Sequence, residues 1–127
     1  MTAKNEVAKV AKVETFELPT LTEEVREAME EELDGMNLGA VHARVITAGT
    51  TGTTDIQVRN VTGTADMLST VITIDSGDTG SDTATAAAVI DAANDDVSTN
   101  DLIAIDVDAV STTAPKGLIV RLRFVPA

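Results

Sequence analysis

The sequence predicts a mainly β fold, built as a β-sandwich or barrel, and three features point to it. In residues 101–125, apolar residues alternate with polar or charged ones in two successive runs. From residue 39 onward, short candidate strands are separated by turns rich in glycine, threonine and aspartate. Aromatic residues are limited to two phenylalanines, and a core of aliphatic and β-branched side chains suits pleated strands.

The two closing runs are the clearest strands. Each run places aliphatic residues on one face, namely Ile103, Ile105 and Val107 in the first and Leu118, Val120, Leu122 and Phe124 in the second. The opposite faces carry Asp106 and Asp108 in the first run, and Arg121 and Arg123 in the second. The loop Ser111 to Lys116 joins the runs. We expect them to pair as antiparallel neighbours, with cross-strand Asp–Arg pairs.

Residues 39–100 also read as β structure. We predict a hairpin of strands 39–48 and 54–61 around the turn Gly49 to Thr53, followed by a third strand over 67–75. The segment Asp75 to Asp82 has the composition of a loop. Residues 83–93 contain both alanine and threonine, and we expect an extended segment there.

The first 37 residues have a different character. Residues 1–19 alternate small apolar groups with Lys and Glu, which predicts an extended arm without a core of its own, or a disordered tail. Thr20 to Gly35 is predicted to be a short α-helix, because Thr20 and Glu23 form a capping-box pattern and an apolar stripe follows at helical spacing. The stripe is Leu21, Val25, Ala28, Met29 and Leu33. The chain thus divides into an arm and helix, residues 1–37, and a β domain, residues 38–127.

Charge and composition narrow the classes of function. The chain carries a formal net charge of −12 and has no cysteine, tryptophan or tyrosine. Nucleic acid is a poor partner, because phosphate binding needs clustered basic residues and stacking aromatics. We also expect no membrane segment, since no run approaches the roughly 20 apolar residues that a span requires. Disulfides and thiolate metal sites are excluded by composition.

Candidate catalytic and metal-binding residues are few, and no cofactor is expected. The single histidine, His42, lies in a predicted strand, where a surface or hydrogen-bonded role is favoured over a Ser-His-Asp triad. Asp106 and Asp108 share a strand face, as paired carboxylates of an enzyme do, but a structural pairing with Arg121 and Arg123 is favoured. Three further acids lie in one loop, where solvated charges are favoured over a calcium site: Asp75, Asp78 and Asp82.

Three stretches of the β domain resemble virion proteins of tailed bacteriophages. They are GAVHARVITAGTTGTTDIQVRNVT, then STVITIDSGDTGSDTATAAAVIDAANDDVSTNDLIAIDVDAV, and then APKGLIVRLRFV. The chain is similar there to β-sandwich, jelly-roll-like domains of head decoration proteins and of head or tail fibres. The resemblance covers Gly39 to Val125 and leaves out the first 38 residues.

The resemblance implies a jelly-roll-like sandwich that trimerises and has no catalytic residues. A short chain with one β domain and an N-terminal arm suits a capsid decoration, or cement, protein on the outer surface of the virion. The partners would be the major capsid protein and further copies of the chain, contacted through Val7, Val10, Val13, Phe16, Leu18, Leu21, Val25, Met29 and Leu33. The alternative is a head-fibre or tail receptor-binding module that contacts the host surface through the sandwich loops.

Overall fold

The computed structural model describes residues 12–20, 25–30, 35–98 and 100–126. These residues form eleven β-strands and one short 3₁₀ helix, Ser81–Thr83. The strands are β1 (Lys12–Thr20), β2 (Val25–Glu30), β3 (Met36–Arg44), β4 (Thr54–Asn60), β5 (Ala65–Asp66), β6 (Leu68–Thr70), β7 (Ile72–Ile74), β8 (Val89–Ile90), β9 (Asp96–Val97), β10 (Asp101–Ala109) and β11 (Lys116–Pro126). The prediction of a mainly β fold is confirmed.

Two antiparallel sheets account for most of the strands. Sheet A has the order β1-β11-β3-β9, and sheet B has the order β2-β10-β4-β5, with β7 also pairing with β4. Strands β6 and β8 form a separate two-stranded ribbon. Aliphatic side chains from both sheets meet in a single core, an arrangement consistent with a β-sandwich.

The central strands β10 and β11 bury the faces that the sequence predicts. Ile103, Ile105 and Val107 are at most 3% exposed on β10. On β11, the alternation continues from Leu118 to Phe124, with every second side chain in the core. The inner faces of the two strands supply much of the core. Period-two patterning therefore gave both strands and the sides that they bury.

The predicted pairing between β10 and β11 is wrong. Strand β11 lies between β1 and β3 in sheet A, whereas β10 lies between β2 and β4 in sheet B. The segment between them crosses from one sheet to the other. Each strand has a long apolar face that a facing sheet covers, and placing them in opposite sheets lets those faces share the core.

The predicted hairpin of residues 39–48 and 54–61 is wrong for the same reason. Strand β3 belongs to sheet A and β4 to sheet B, and residues 45–53 connect the sheets. Within β3, the pairing with β11 shifts by one residue at Gly39. A side chain at Gly39 would have its Cβ 2.9 Å from Val125 Cγ2. This bulge lets Leu38 and Ala43, on either side of it, both face the core.

The predicted helix is also corrected, because Val25–Glu30 forms strand β2. The strand pairs antiparallel with β10, from Val25 opposite Asp106 to Glu30 opposite Asp101. Helix propensity contributes less than about 1 kcal/mol per residue and an N-cap about 0.5–2 kcal/mol, and hydrogen-bonded pairing with β10 outweighs these local preferences. Gly35, expected as a helix cap, has a φ of 74° and turns the chain into β3. The flanking residues 21–24 and 31–34 lie outside the described residues.

The arm prediction is wrong for residues 12–20, which form β1 at the edge of sheet A. The strand pairs with β11 along its length, from Lys12 opposite Phe124 to Thr20 opposite Lys116. Phe16 is 6% exposed and Leu18 is fully buried, so these side chains are part of the core. Strands β1 and β2, which each form one edge of their sheet, both come from the segment that was predicted to lie outside the β domain.

A glutamine side chain completes the outer edge of β4. The sequence predicts one strand over residues 67–75, but the structure has three short strands here, β5, β6 and β7. Strands β5 and β7 pair with β4, whereas β6, which lies between them in sequence, pairs with β8 instead. In that gap, the buried Gln57 side chain donates from Nε2 to Leu68 O at 3.1 Å and accepts from Leu68 N at 3.1 Å. The Gln57 amide therefore replaces a backbone partner that β4 lacks at this position.

Candidate interaction surfaces

The three loops that the sequence singled out as a possible receptor-binding surface lie together at one end of the sandwich. Thr50 and Thr113 exchange two backbone hydrogen bonds of 3.0 and 3.1 Å, which join Gly49 to Thr53 with Ser111 to Lys116. Gly77 N donates to Gly49 O at 2.9 Å and joins the third loop, Asp75 to Asp82. Many residues at the tips of these loops are exposed. We refer to this end as the loop platform.

The loop aspartates support turns within the platform. Asp75 Oδ2 accepts from Thr85 N at 2.8 Å and from Thr85 Oγ1 at 3.0 Å. Asp78 Oδ2 accepts from Thr83 Oγ1 at 3.0 Å. In the described part of the chain, no group of three or more acids and histidines is placed to hold a metal ion. The hydrogen bonds give these carboxylates a local structural role.

The outer face of sheet B carries an ion pair that sequence reasoning missed. Arg59 on β4 binds Asp106 on β10 through Nε to Oδ2 at 2.9 Å and Nη2 to Oδ1 at 3.1 Å. Both side chains are partly buried, at 33% and 18% exposure. The predicted partners of Asp106 were the arginines of β11, which lie in the other sheet. The bidentate geometry is the stronger form of carboxylate recognition by arginine.

Acidic side chains crowd around this ion pair. Burial raises the pKa of Asp108, and the negative charges of Asp106, Asp66 and Asp55 raise it further, while Arg59 opposes them. Asp106 and Asp108 do share a face, as predicted, but one is bound to Arg59 and the other is exposed. We call the outer surface around Asp55, Asp66, Asp106 and Asp108 the aspartate face.

The outer face of sheet A has the opposite charge. Arg121 lies opposite His42, and Arg123 lies opposite Ala40, while Arg44 lies opposite Ile119. All three arginines are exposed. Among the described residues, no carboxylate lies within ion-pair distance of them. Residues 39–127 contain only five basic residues, so three arginines on one face are a marked concentration. We call this surface the arginine face.

Apolar groups lie beside these arginines. Val13 of β1 lies opposite Arg123 of β11, and its side chain is 57% exposed. Ile46 follows the end of β3, and its side chain is 78% exposed. Ile46 lies over Gly117, whose φ of 73° suits glycine and where an added Cβ would be 2.8 Å from Ile46 Cδ1. An open cleft of about 580 Å³ runs there, lined by Ile46, Gly117, Ile119, Leu18, Leu118, Glu17 and Lys116.

His42 is braced by a serine from the 3₁₀ helix. Its Nδ1 lies 3.4 Å from Ser81 Oγ, which also accepts from Ala43 N at 3.0 Å. In the described residues, no carboxylate forms a hydrogen bond with the imidazole that would orient it as a triad does. The contact fixes the 3₁₀ helix against β3.

The predicted partner-binding residues fall into four groups. Phe16 and Leu18 are part of the core, where their side chains are at most 6% exposed. Val13 is exposed on the arginine face. Val25 and Met29 lie on β2, opposite Asp106 and Leu102 of β10. The others, Val7, Val10, Leu21 and Leu33, lie outside the described residues.

Sequence reasoning missed Arg59, Arg44 and Ile46 as surface residues of interest. The sequence did contain a signal for Ile46, because it follows His42 and Arg44 at the alternate positions of residues 39–48 and is apolar where those two are polar. No sequence signal identified Arg59, because its ion-pair partner depends on which strand lies next to β4.

Comparison with known protein families, with curated proteins and with solved structures found no match. No helix in the described part of the chain is long and apolar enough to cross a membrane.

Proposed function

We propose that the chain is a structural, non-enzymatic capsid decoration protein of a tailed bacteriophage. It binds the outer surface of the major capsid protein lattice, stabilises the mature head, and acts as a homotrimer. The sequence resemblance of Gly39 to Val125 to virion β-domains motivates the proposal, together with the jelly-roll-like architecture that the resemblance implies.

The observation that carries the proposal is the position of the N-terminal region at the open side of the sandwich. Strands β1 and β2 are the terminal strands of sheets A and B, and within the described residues nothing pairs with their outer edges. Four residues separate them, a reach of less than about 20 Å, so both edges lie on the same side. Strand β1 begins at Lys12, so residues 1–11 precede it in the sequence. Unpaired strand edges are sites at which another chain can add a strand.

The anchoring residues differ in part from those expected from sequence. Phe16 and Leu18 belong to the core and Val13 lies on the arginine face, so the proposed capsid contacts are Val7 and Val10 before β1. Burying one valine side chain contributes about 1.5–3 kcal/mol before the cost of ordering the segment. Many copies on a lattice then add up to a large stabilisation of the shell.

Cosedimentation with capsids that lack the protein tests this function. The full chain should bind up to a saturating number of copies, and a chain without residues 1–11 should fold but lose binding. That truncation leaves every described strand intact, so circular dichroism should show an unchanged fold. Failure of the full chain to bind contradicts the function, whereas equal binding by the truncated chain contradicts only the anchor.

A second candidate is a receptor-binding module, and the loop platform is the observation that favours it. Three loops distant in sequence are held together with their tips exposed, as in binding modules that present loops on a rigid scaffold. Adsorption of the labelled protein to host cells tests it. Thr113→Arg on the platform should abolish adsorption, whereas the control Ser69→Arg, an exposed residue on β6, should not.

A further inference from the structure

The two outer faces of the sandwich differ in charge in a way that the proposed capsid attachment does not use. The arginine face presents Arg44, Arg121 and Arg123, and within the described residues these have no ion-pair partner. Among the described side chains of β1, Glu17 is an exposed acid on this face. In a chain with a net charge of −12, an exposed cluster of unpaired arginines needs an explanation beyond solubility.

The arginine face also has the composition of a protein interface. Two of the three large hydrophobic side chains that are most exposed in the described residues, Val13 and Ile46, lie on it or at its end. Interfaces are enriched in arginine beside apolar groups and depleted in lysine and acids. Flat sheet surfaces of this kind gain both apolar contact and directed hydrogen bonds when covered.

A complementary surface exists on the same molecule. The aspartate face lies on the outer side of the opposite sheet, and its carboxylates repel one another around Asp108. Only Asp106 has an ion pair among the described residues of this face. Two arginine faces would repel each other, and so would two aspartate faces, but one of each would be attracted.

We propose that the arginine face of one copy docks on the aspartate face of a second copy. The two faces lie on opposite sides of the sandwich, so the contact is head to tail rather than two-fold symmetric. A head-to-tail contact closes into a ring or extends into a chain of copies. The proposal specifies surfaces for the self-association within the proposed function, and it does not depend on the capsid.

The size of the faces predicts a weak contact. Three strands of nine or more residues form the arginine face, and such a surface covers about 450 Å². Two faces then bury about 900 Å² in total, less than the roughly 1,200–2,000 Å² of stable complexes. Copies held close together on a lattice would form this contact readily, since neighbours are then at high effective concentration.

Charge reversal tests the pairing in solution without any capsid. One variant carries Arg121→Glu and Arg123→Glu, and a second carries Asp66→Arg and Asp108→Arg. Arg59 and Asp106 are left unchanged because their ion pair belongs to the fold. The control, Ala86→Glu with Ala87→Glu, adds charge at exposed positions in neither sheet. Circular dichroism and urea denaturation should show that all variants are folded.

Analytical ultracentrifugation over a wide range of protein concentration gives the result. We expect the unmodified chain and the control to associate reversibly at low salt, and each charge-reversed variant to remain monomeric. An equimolar mixture of the two reversed variants should associate again, and about 1 M salt should abolish association, because the screening length is then about 3 Å. Monomers at every concentration, association that both reversals leave unchanged, or a mixture that stays monomeric would overturn the proposal.

Discussion

Strands β10 and β11 are alike on their inner faces and opposite on their outer faces. Each is the second strand of its sheet, and each sends aliphatic side chains into the shared core. On the outer side, β10 carries Asp106, which is bound to Arg59 of its neighbour, whereas β11 carries Arg121 and Arg123, which have no ion pair within the described residues. The inner residues of both strands repeat one pattern that forms the core, whereas the outer residues differ in charge and, within the described residues, in whether they form an ion pair.

The largest expected effects test the equivalence of the inner faces. Phe124→Ala on β11 should lower the free energy of unfolding by about 3–5 kcal/mol, and Ile105→Ala on β10 by about 2–5 kcal/mol, because both side chains are fully buried. Urea denaturation measures both. A loss below about 0.5 kcal/mol in either variant would show that one of the two strands is not part of the core.

The neighbour of β11 provides the next test. Leu18→Ala should cost about 2–5 kcal/mol, since this β1 side chain is fully buried opposite Leu118. Val13→Ala on the same strand is the matched control and should change stability by less than about 0.5 kcal/mol, because Val13 is 57% exposed. Equal, small effects in the two variants would mean that residues 12–20 form a loose arm after all.

A smaller effect should separate the outer faces. Asp106→Asn removes the carboxylate that Arg59 binds in a partly buried site, and we expect a loss of about 1 kcal/mol. Arg121→Gln on β11 should stay within about 0.5 kcal/mol, because the side chain is exposed and unpaired among the described residues. If Arg121→Gln proved the more destabilising, the arginine face would have a structural role.

The smallest effect concerns pH. Burial and neighbouring carboxylates raise the pKa of Asp108 above its ordinary value of 3.8, so the unfolded chain releases this proton at lower pH than the folded protein. The contribution of Asp108 to stability is therefore most favourable below pH 3.8 and falls as the pH rises through the folded-state pKa.

Asp108→Asn should remove that dependence. The variant should be slightly more stable than the unmodified chain at neutral pH, by less than about 0.5 kcal/mol for an exposed site, and the difference should shrink in acid. Melting temperatures across the acid range, with Asp75→Asn as a control for a hydrogen-bonded aspartate, measure it. A difference that grows in acid would contradict the sign.

The sequence predicted the strands of residues 101–125 and their buried faces, because alternation of Ile103, Ile105 and Val107 is a local property. It did not predict their partners, because register and sheet membership depend on the whole core. Strand β1 shows this most clearly, since Phe16 pairs with Val120 from the far end of the chain. Strand β2 shows why the helix prediction failed, because the backbone hydrogen bonds of its pairing with β10 stabilise a strand more than the capping residues stabilise a helix.

The candidate surfaces were predictable to different degrees. The loop platform follows from composition, since glycine and aspartate mark the turns, although their meeting at one end does not. The arginine face needed the structure, because Arg44 and Arg121 are brought together only by the pairing of β3 with β11. The sequence predicted aspartates outside on β10 and arginines outside on β11, but it placed both strands in one sheet, so it did not predict two outer faces of different charge.

The measurement that tests the proposed function most directly is the copy number of this protein in purified virions, relative to the major capsid protein, by quantitative mass spectrometry. Decoration of the lattice predicts a copy number comparable to that of the major capsid protein, in a fixed ratio from one preparation to another. A few copies per particle would contradict decoration and favour a receptor-binding module at a vertex or the tail.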